Sequence, residues 1–439
     1  MKQVYRILPF LLFIFIAPLS AQQMLEKQEA VQLVLENNFG VKIAKNSLEI
    51  SENNQSLLNS GFLPSLTGNG GATYDKSNQE ATFQDGNVRS IDGAETTRYN
   101  ASLNLNYTLF DGLGRWYDYK RLKEEYNLTE LQARETIENS IIQLFSVYYE
   151  VARITENIRV LEETYQSTEK RLKRAQYSFE FGQSNKLDVL NAEVDLVNDS
   201  INLMNERQLL KNTIRDLNIV LNQELENTYT VDTTVAFTDV LVLEDFLKTA
   251  EENNVRLLQA EKNIAINDYT LKASKSVFLP TIGLTGSYGW NEGNFPATNF
   301  LASNNSTGIS GGVNLTWNLF DGGRGITQVK NAKILLESQE LMKDQIRQEV
   351  KRDIANARGN YLNRLEVYRL QEQNVKTATD NFLRSSERYK LGQISSVELR
   401  QAQLNLLNSK TSKNQAKYNA KLAELQLLQL TGQLLNVQI

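Results

Sequence analysis

The side chains that most often carry catalysis or hold metals are missing from this sequence, which has no His and no Cys. Their absence removes imidazole acid–base catalysis, Ser–His and Cys nucleophiles, Cys/His metal sites and disulfides. Carboxylates remain, with 52 Asp and Glu against 47 Lys and Arg. Nothing in their spacing gathers them into a pocket, so no enzyme, metal site or cofactor is expected. The net charge of −5 disfavours nucleic acid as a partner. The residues whose placement does stand out are turn-makers. Asp111-Gly112 and Asp321-Gly322 each follow an alternating run and precede a helical one. There an Asp oxygen can accept the free N–H groups of a first helical turn, and Gly allows a sharp bend. Gly182-Gln183-Ser184 and Gly392-Gln393-Ile394 each end a long helical pattern, where Gly takes the left-handed stop conformation.

These turns punctuate long helices. Residues 115–181 contain no Gly and no Pro. From Ile137 the apolar residues recur near a period of 3.5: Ile137, Ile141, Leu144, Tyr148, Val151, then Ile158 and Leu161. That period marks a helix packed lengthwise against other helices. At about 1.5 Å per residue it is on the order of 100 Å long, which requires a bundle or tube. Residues 326–391 form its counterpart, with Val350, Ile354, Ala357, Tyr361, Leu365 and Tyr368 on one stripe.

The chain repeats itself. Eighteen of its 23 Gly fall in residues 61–114 and 283–325. Glu36-Asn37-Asn38 matches Glu252-Asn253-Asn254, and Phe62-Leu63-Pro64 matches Phe278-Leu279-Pro280, both at an offset of 216. Leu109-Phe110-Asp111-Gly112 matches Leu319-Phe320-Asp321-Gly322, and Gly182-Gln183 matches Gly392-Gln393, at an offset of 210. Ordered landmarks with one indel indicate a tandem duplication. The first repeat is placed at residues 22–225, with a β-hairpin at about 64–110 and a long coiled coil at 113–222. The second is placed at 226–439, with a hairpin at about 280–320 and a coiled coil at 323–432. Each begins with a short helix (about 24–37; 243–252) and a medium one (about 41–58; 256–273). Each ends with another medium helix (about 186–221; 396–430), and a polar, helix-poor linker spans 222–242. Ahead of the repeats, Lys2 and Arg6, the apolar run 7–16 and Pro18-Leu19-Ser20-Ala21 predict a secretory signal over residues 1–21.

The Gly-rich windows alternate with period two. Ala101, Leu103, Leu105, Tyr107 and Leu109 oppose Ser102, Asn104, Asn106 and Thr108. Ile309, Val313, Leu315, Trp317 and Leu319 oppose Ser310, Asn314, Thr316 and Asn318. Residues 64–74 and 280–290 alternate more weakly. Strands of about 10 residues with one apolar and one small polar face suit a membrane barrel with lipid outside and water inside. Residues 75–97 and 291–307 are expected to be long polar loops. A pair of soluble hairpins packed on the helices is the alternative. Four strands cannot close in lipid, because open edges leave backbone groups unpaired, so a membrane barrel demands oligomerisation; three copies give twelve strands.

On these landmarks the sequence resembles the TolC family of outer-membrane export ducts over its whole length beyond the signal. The resemblance implies a mainly α fold with membrane β-hairpins. It implies a homotrimer, each protomer giving four strands to a 12-stranded outer-membrane β-barrel and long coiled coils to a periplasmic α-barrel. It implies residence in the outer membrane of a Gram-negative bacterium, in contact with its lipid. The implied partners are a periplasmic adaptor (membrane fusion) protein and an inner-membrane pump. Family members close their inner end through an Asp of the first tip meeting a Tyr and an Arg of the second. The matching residues are Asp188 and Tyr389, while Ile394 stands at the Arg position, so that charged link is absent. Acidic residues ring the constriction in the family; Glu398 and Gln401 match, one of them charged, and three copies of Glu398 would favour cations. The turns Gly182-Gln183-Ser184 and Gly392-Gln393-Ile394 match the adaptor-docking tips, with Ile394 expected as an exposed apolar contact. The implied function is the exit duct of a tripartite system exporting small molecules such as drugs. A type I protein-secretion duct of the same fold, and a soluble periplasmic coiled-coil scaffold, are the alternatives.

Overall fold

The computed structural model describes residues 23–437; the signal expected over residues 1–21 lies outside them. The first repeat begins with a short strand, β1 (Gln23–Leu25), and two helices, α1 (Lys27–Asn37) and α2 (Phe39–Asn54). Asn38 separates the helices and caps the second, its Oδ1 accepting from the N–H of Gly40 at 2.8 Å. A 3-10 turn at Leu57–Asn59 leads into β2 (Ser65–Thr82) and β3 (Val88–Asp111). Helix α3 (Gly114–Glu180) then runs for 67 residues, followed by α4 (Lys186–Leu221). The second repeat follows the same course through β4 (Tyr229–Val231), α5 (Val240–Lys248), α6 (Ala250–Asn253) and α7 (Val255–Ser274). It continues through β5 (Thr281–Asn294), β6 (Ser303–Thr316), the 67-residue α8 (Arg324–Lys390) and α9 (Ser396–Leu430).

The packing follows the apolar stripes. Helix α3 contacts α4 and α2 on one side and α9 and α7 on the other; α8 packs on α9 and α7. Helices α2 and α4 are joined end to end, the Asn38 Nδ2 donating to the Val220 carbonyl at 3.0 Å and the Asn222 Nδ2 to the Asn37 carbonyl at 3.1 Å. In α7 and α9, Asn254 plays the same part, its Nδ2 donating to the Leu430 carbonyl at 2.8 Å. The chain therefore forms a four-row helical layer: α4/α2, α3, α9/α7, α8. Its main core lies midway along, where Ile141, Leu144, Tyr148 and Val151 of the α3 stripe are buried with Tyr361 and Leu365 of the α8 stripe.

Several sequence expectations are corrected at this core. Residues 24–25 belong to a strand, and the first helix starts only at Lys27, because β1 pairs in parallel with β4. The buried Tyr148 hydroxyl holds the pair, donating to the Leu25 carbonyl at 2.7 Å and accepting from the Asp232 N–H at 2.9 Å. Burial pushes this phenol up to about 12. The linker expected to be polar and helix-poor over 222–242 contains β4 and ends early, since α5 begins at Val240, and between the two Lys421 and the fully buried Glu424 of α9 grip the chain. Lys421 Nζ donates to the Ala236 carbonyl and to Glu424, both at 2.8 Å, and the Thr238 hydroxyl donates to Glu424 at 2.8 Å. The single short helix expected over 243–252 is broken in two at Thr249.

The strands form one antiparallel sheet in the order β2-β3-β5-β6. They are longer than the 10 residues expected: β2 has 18 and β3 has 24, so the supposed loop 75–97 is mostly paired strand. In the second hairpin both strands have 14 residues, and β6 stops at Thr316 instead of continuing to Phe320. A register shift between Thr108 and Phe110 makes Leu109 a bulge.

Candidate functional site

Each strand continues a helix. Helix α2 leads into β2 and α7 into β5, while β3 leads into α3 and β6 into α8. The open rows of the helical layer, α4/α2 and α8, thus lie beneath the open edges of the sheet, β2 and β6. Cross-strand register sorts the faces. Leu66 faces Leu105, Leu103 faces Tyr288, Tyr107 faces Leu284, and Ile282 and Leu284 face Leu315 and Val313. These apolar side chains share one face, and Leu66, Leu103, Tyr288, Ile309, Val313 and Leu315 are exposed on it. The other face pairs Asn104 with Ser287, whose hydroxyl donates to the Asn104 Oδ1 at 2.8 Å, and Ser287 with Ser310. No helix among the described residues is long and apolar enough to cross a membrane; the sheet carries the apolar surface.

The strand-to-helix turns are built as joints. The Asp111 Oδ2 accepts from both the N–H and the Nε of Arg115 at 3.0 Å, and the Asp321 carboxylate accepts from the N–H groups of Gly323 at 3.0 Å and Gly325 at 2.7 Å. Each Asp stands two residues ahead of the position that formally caps its helix, Leu113 or Gly323. Gly112 has φ +69°, and a Cβ there would come within 2.8 Å of the Ser276 carbonyl oxygen and of Leu279 Cβ, so the joint between repeats demands Gly. Gly322 shares the left-handed conformation in the open. Sequence reading missed Arg115. Its guanidinium donates to the carbonyls of Gly61 at 2.7 Å and Thr108 at 2.8 Å, binding the end of one helix to the strand beside it.

At the far end both long helices stop in the same motif. Gly182 and Gly392 adopt φ near +71°, with Gln183 N–H donating to the Ser178 carbonyl at 2.7 Å and Gln393 N–H to the Arg388 carbonyl at 2.9 Å. Ser184 is half-buried, its N–H also on the Ser178 carbonyl at 3.2 Å. Ile394 is half-buried, contrary to the expectation that it is the exposed apolar contact; Phe181, Leu187, Leu391 and Val397 are the exposed apolar residues of the tip.

Among the described residues no hydrogen bond or ion pair joins the four expected gate residues to one another. Asp188 sits in the first turn of α4, its N–H on the Asn185 side chain at 3.1 Å. Tyr389 lies under the Arg174 guanidinium, 5.6 Å from its ring centroid, and Arg174 also donates to the Lys390 carbonyl at 2.8 Å. Arg174 thus ties α3 to the end of α8 through Tyr389 and Lys390. Glu398 closes a capping box, its carboxylate accepting from both the N–H and the hydroxyl of Ser395 at 2.8 Å. Those donors, aided by Arg388, hold its carboxyl below the usual range. Gln401, exposed one turn on, donates to Asn405 at 2.9 Å.

An ionic knot just above the tip was not legible in the sequence. Arg400 of α9 grips Asp199 of α4 through both terminal nitrogens, at 2.7 and 2.8 Å. The Thr168 hydroxyl of α3 donates to Asp199 at 2.7 Å, and Gln403 donates to Thr168 at 2.9 Å. Arg171 of α3 pairs with Asp195 and donates to the Ser396 carbonyl at 3.3 Å. Beside the knot a groove of about 640 Å³ opens between the two coils, lined by Lys170, Arg174, Tyr177, Phe181, Phe382 and Tyr389 among others. No cluster of acidic side chains among the described residues could hold a metal ion.

The same build occurs in known proteins. The sequence model of the family described as outer membrane efflux protein matches residues 30–223 and 246–433. Outer membrane protein TolC of Vibrio cholerae is 23% identical over 355 residues, which cover 79% of this chain and 80% of that protein. Outer membrane efflux protein BepC of Brucella suis is 20% identical over 405 residues, covering 91% and 83%. The crystal structure of the Campylobacter jejuni CmeC outer membrane channel superposes with a TM-score of 0.74 at 18% identity, covering 93% of this chain and 86% of that one.

Proposed function

The chain belongs to the outer membrane efflux protein family, and on that premise we propose that it is the exit duct of a tripartite efflux system. It works as a homotrimer that passes small molecules such as drugs across the periplasm and the outer membrane. It resides in the outer membrane and has a TolC-like fold. One observation carries the trimer: sheet and helical layer are open on the same two sides, β2 above α4/α2 and β6 above α8. A single rotation that pairs β6 with the next copy's β2 also sets α8 against the next copy's α2. Strand directions alternate across the sheet, so the new pair is antiparallel, and three copies close twelve strands with no edge in lipid. The apolar sheet face then meets lipid and the Asn/Ser/Thr face lines the pore.

The remaining roles follow from position. The tips at Gly182–Ser184 and Gly392–Ile394 dock a periplasmic adaptor, which couples the duct to an inner-membrane pump. Phe181, Leu187, Leu391 and Val397 supply the apolar contact area. Glu398 and Gln401 rim the constriction, with Asp188 and Tyr389 beside them. The energy for transport comes from the pump, since the chain is a channel and not a catalyst. The test is the mass of the detergent-extracted protein from the outer-membrane fraction. Three chain masses and single-channel conductance in a planar bilayer are expected; a detergent-independent monomer or dimer would return the chain to a scaffold role.

A further inference from the structure

We propose that the first turns of α3 bind the headgroup of an anionic phospholipid in the periplasmic leaflet of the outer membrane, with Lys120 and Lys123 on its phosphate and Trp116, Tyr119 and Tyr269 around them. This goes beyond the duct reading and rests on one part of it, that the apolar face of the sheet meets lipid. The site lies on that side of the layer. Asp111 stands opposite Thr281 on the polar face of the sheet, and a Cβ on Gly114 would lie 3.6 Å from the Asp111 carboxylate. Gly114 and Asp118 line a polar cavity with Thr270, Thr327 and Asn331. Helical spacing puts Trp116, Tyr119, Lys120 and Lys123 on the other side of α3. There Phe62, just ahead of β2, packs edge-on against Tyr119, ring centroids 6.2 Å apart, and Trp116 is 45% exposed. Both α3 and α7 are inner rows of the layer. The proposed copy-to-copy edges, with exposed Ile43 and Ile50 on α2 and Ile334 and Leu341 on α8, lie to either side and leave the site open.

Helix direction decides which cations are offered. A helical side chain leans toward the N-terminus of its helix. Helix α3 starts at the strands, so its lysines reach back toward the membrane. Lys120 Nζ lies 5.1 Å from the Trp116 ring centroid and Lys123 Nζ 4.6 Å from that of Tyr119. Lys120 Nζ also lies 5.9 Å from the Tyr269 ring of α7. Helix α7 ends at the strands, and its Lys272 folds away from the membrane onto Asp268 at 2.6 Å. Glu124 is engaged by Lys262 at 3.0 Å. No ion pair holds Lys120 or Lys123 among the described residues. Their backbones lie about 9 and 14 Å down α3, and their stems carry the charge upward along the rings to the level where headgroups end the bilayer. The second repeat has Lys330 and Lys333 at the matching positions of α8, with Ile326 and Val329 in place of Trp116 and Tyr119. Each copy thus has two lysine pairs at one height, and aromatic faces frame the α3 pair. The headgroup is anionic because a zwitterionic one brings its own ammonium to the phosphate and gains less from two lysines.

Native mass spectrometry of the purified, detergent-solubilised protein titrated with phosphatidylglycerol reads the site. One strongly held lipid per copy is expected, with phosphatidylethanolamine held at least about tenfold more weakly. Lys120→Gln with Lys123→Gln is expected to weaken phosphatidylglycerol at least about tenfold, and Lys120→Arg with Lys123→Arg, which keeps the charges, to retain it. Lys330→Gln with Lys333→Gln removes the same charge at the same height and is expected to weaken it less than about threefold. Equal retention by the wild type and the α3 Gln variant overturns the proposal, and so does an equal loss in the α3 and α8 Gln variants, which would mean unspecific charge. Millimolar inorganic phosphate is expected to leave the lipid bound; its displacement would mark a site for the free anion and overturn the lipid assignment. The same spectra give the assembly mass. A wild-type mass of one chain removes the duct reading, and the lipid count per chain still decides the α3 site.

Discussion

One oxygen of Tyr148 satisfies a carbonyl on β1 and an N–H beyond β4, two segments some 200 residues apart in sequence. Tyr148→Phe leaves both backbone groups buried and unpaired, which costs about 1–3 kcal/mol and lowers the midpoint of denaturant unfolding in detergent. The phenol also titrates late, at about 12 against an ordinary 10.0. A raised pKa in the folded state means that the stabilisation is complete below pH 10 and is lost as pH rises toward 12. Stability should therefore fall over that window in the wild type, with a smaller fall in Tyr148→Phe. Glu398 titrates in the opposite sense. Its folded pKa is depressed by Ser395, so the cap it makes is intact above the ordinary Glu value of 4.5 and weakens as pH falls through the depressed one. Glu398→Gln keeps an acceptor at the third helical position, which preserves the capping box, and removes only the charge. Reduced cation preference in bilayer recordings is expected, and unaltered selectivity would remove the acidic ring from the pore.

Elements are matched to surroundings by their faces. Leu105 and Leu315 lie on the apolar side of β3 and β6, so arginine at either position costs about 2–4 kcal/mol near a bilayer midplane. Outer-membrane yield of the trimer should drop in Leu105→Arg and Leu315→Arg but hold in Asn104→Arg, whose side chain points to the polar face. Equal yields in all three would mean that the apolar face does not meet lipid. At the other end, α3, α4 and α9 are tied by charges. Asp199 is almost fully buried against Arg400, whose Nε lies 3.5 Å from the Asp195 carboxylate. Asp199→Ala removes the two-pronged partner of that buried guanidinium and leaves it only the longer contact to Asp195, at a cost of up to about 3–5 kcal/mol. Hydrogen exchange at the start of α9 should quicken while the midpoint core around Tyr148 stays protected. Unchanged exchange would show that the knot does not hold the tip together.

On the scale of the whole molecule, one interface of the proposed trimer has to seal two materials. In that trimer the sheet would be sealed by backbone hydrogen bonding between β6 and a neighbouring β2, and the helical layer by side-chain packing between α8 and α2. Since both edges are carried by continuous helix–strand rods, loss of either seal should dissociate both. Ile43→Asp, far from the membrane strands, is therefore expected to reduce trimer mass in detergent as strongly as a lesion in β6. A trimer unaffected by Ile43→Asp would mean that the barrel alone holds the copies together.

Much of this architecture was written in local pattern. Gly and Pro mark where helices must stop, and their absence from residues 115–181 is enough to set α3. Alternation names the two faces of β3 and β6, and paired landmarks reveal the repeat, because each signal depends only on residues close in sequence. The strand ends were not legible: residues 75–97 are polar, yet backbone ladders outside an apolar environment pair whatever the side chains, so β2 and β3 run on. Nor were the contacts that cross the layer. That Arg174 reaches Tyr389, that Asp199 belongs to Arg400, and that three residues of β1 find β4 depend on which rows become neighbours. Sequence alone determined the rods, their stops and their faces, since these are set by periods of 2 and 3.5. Tertiary structure decided the charge pairs, the buried tyrosine bridge and the half-buried Ile394, since those energies exist only once distant segments share one desolvated space.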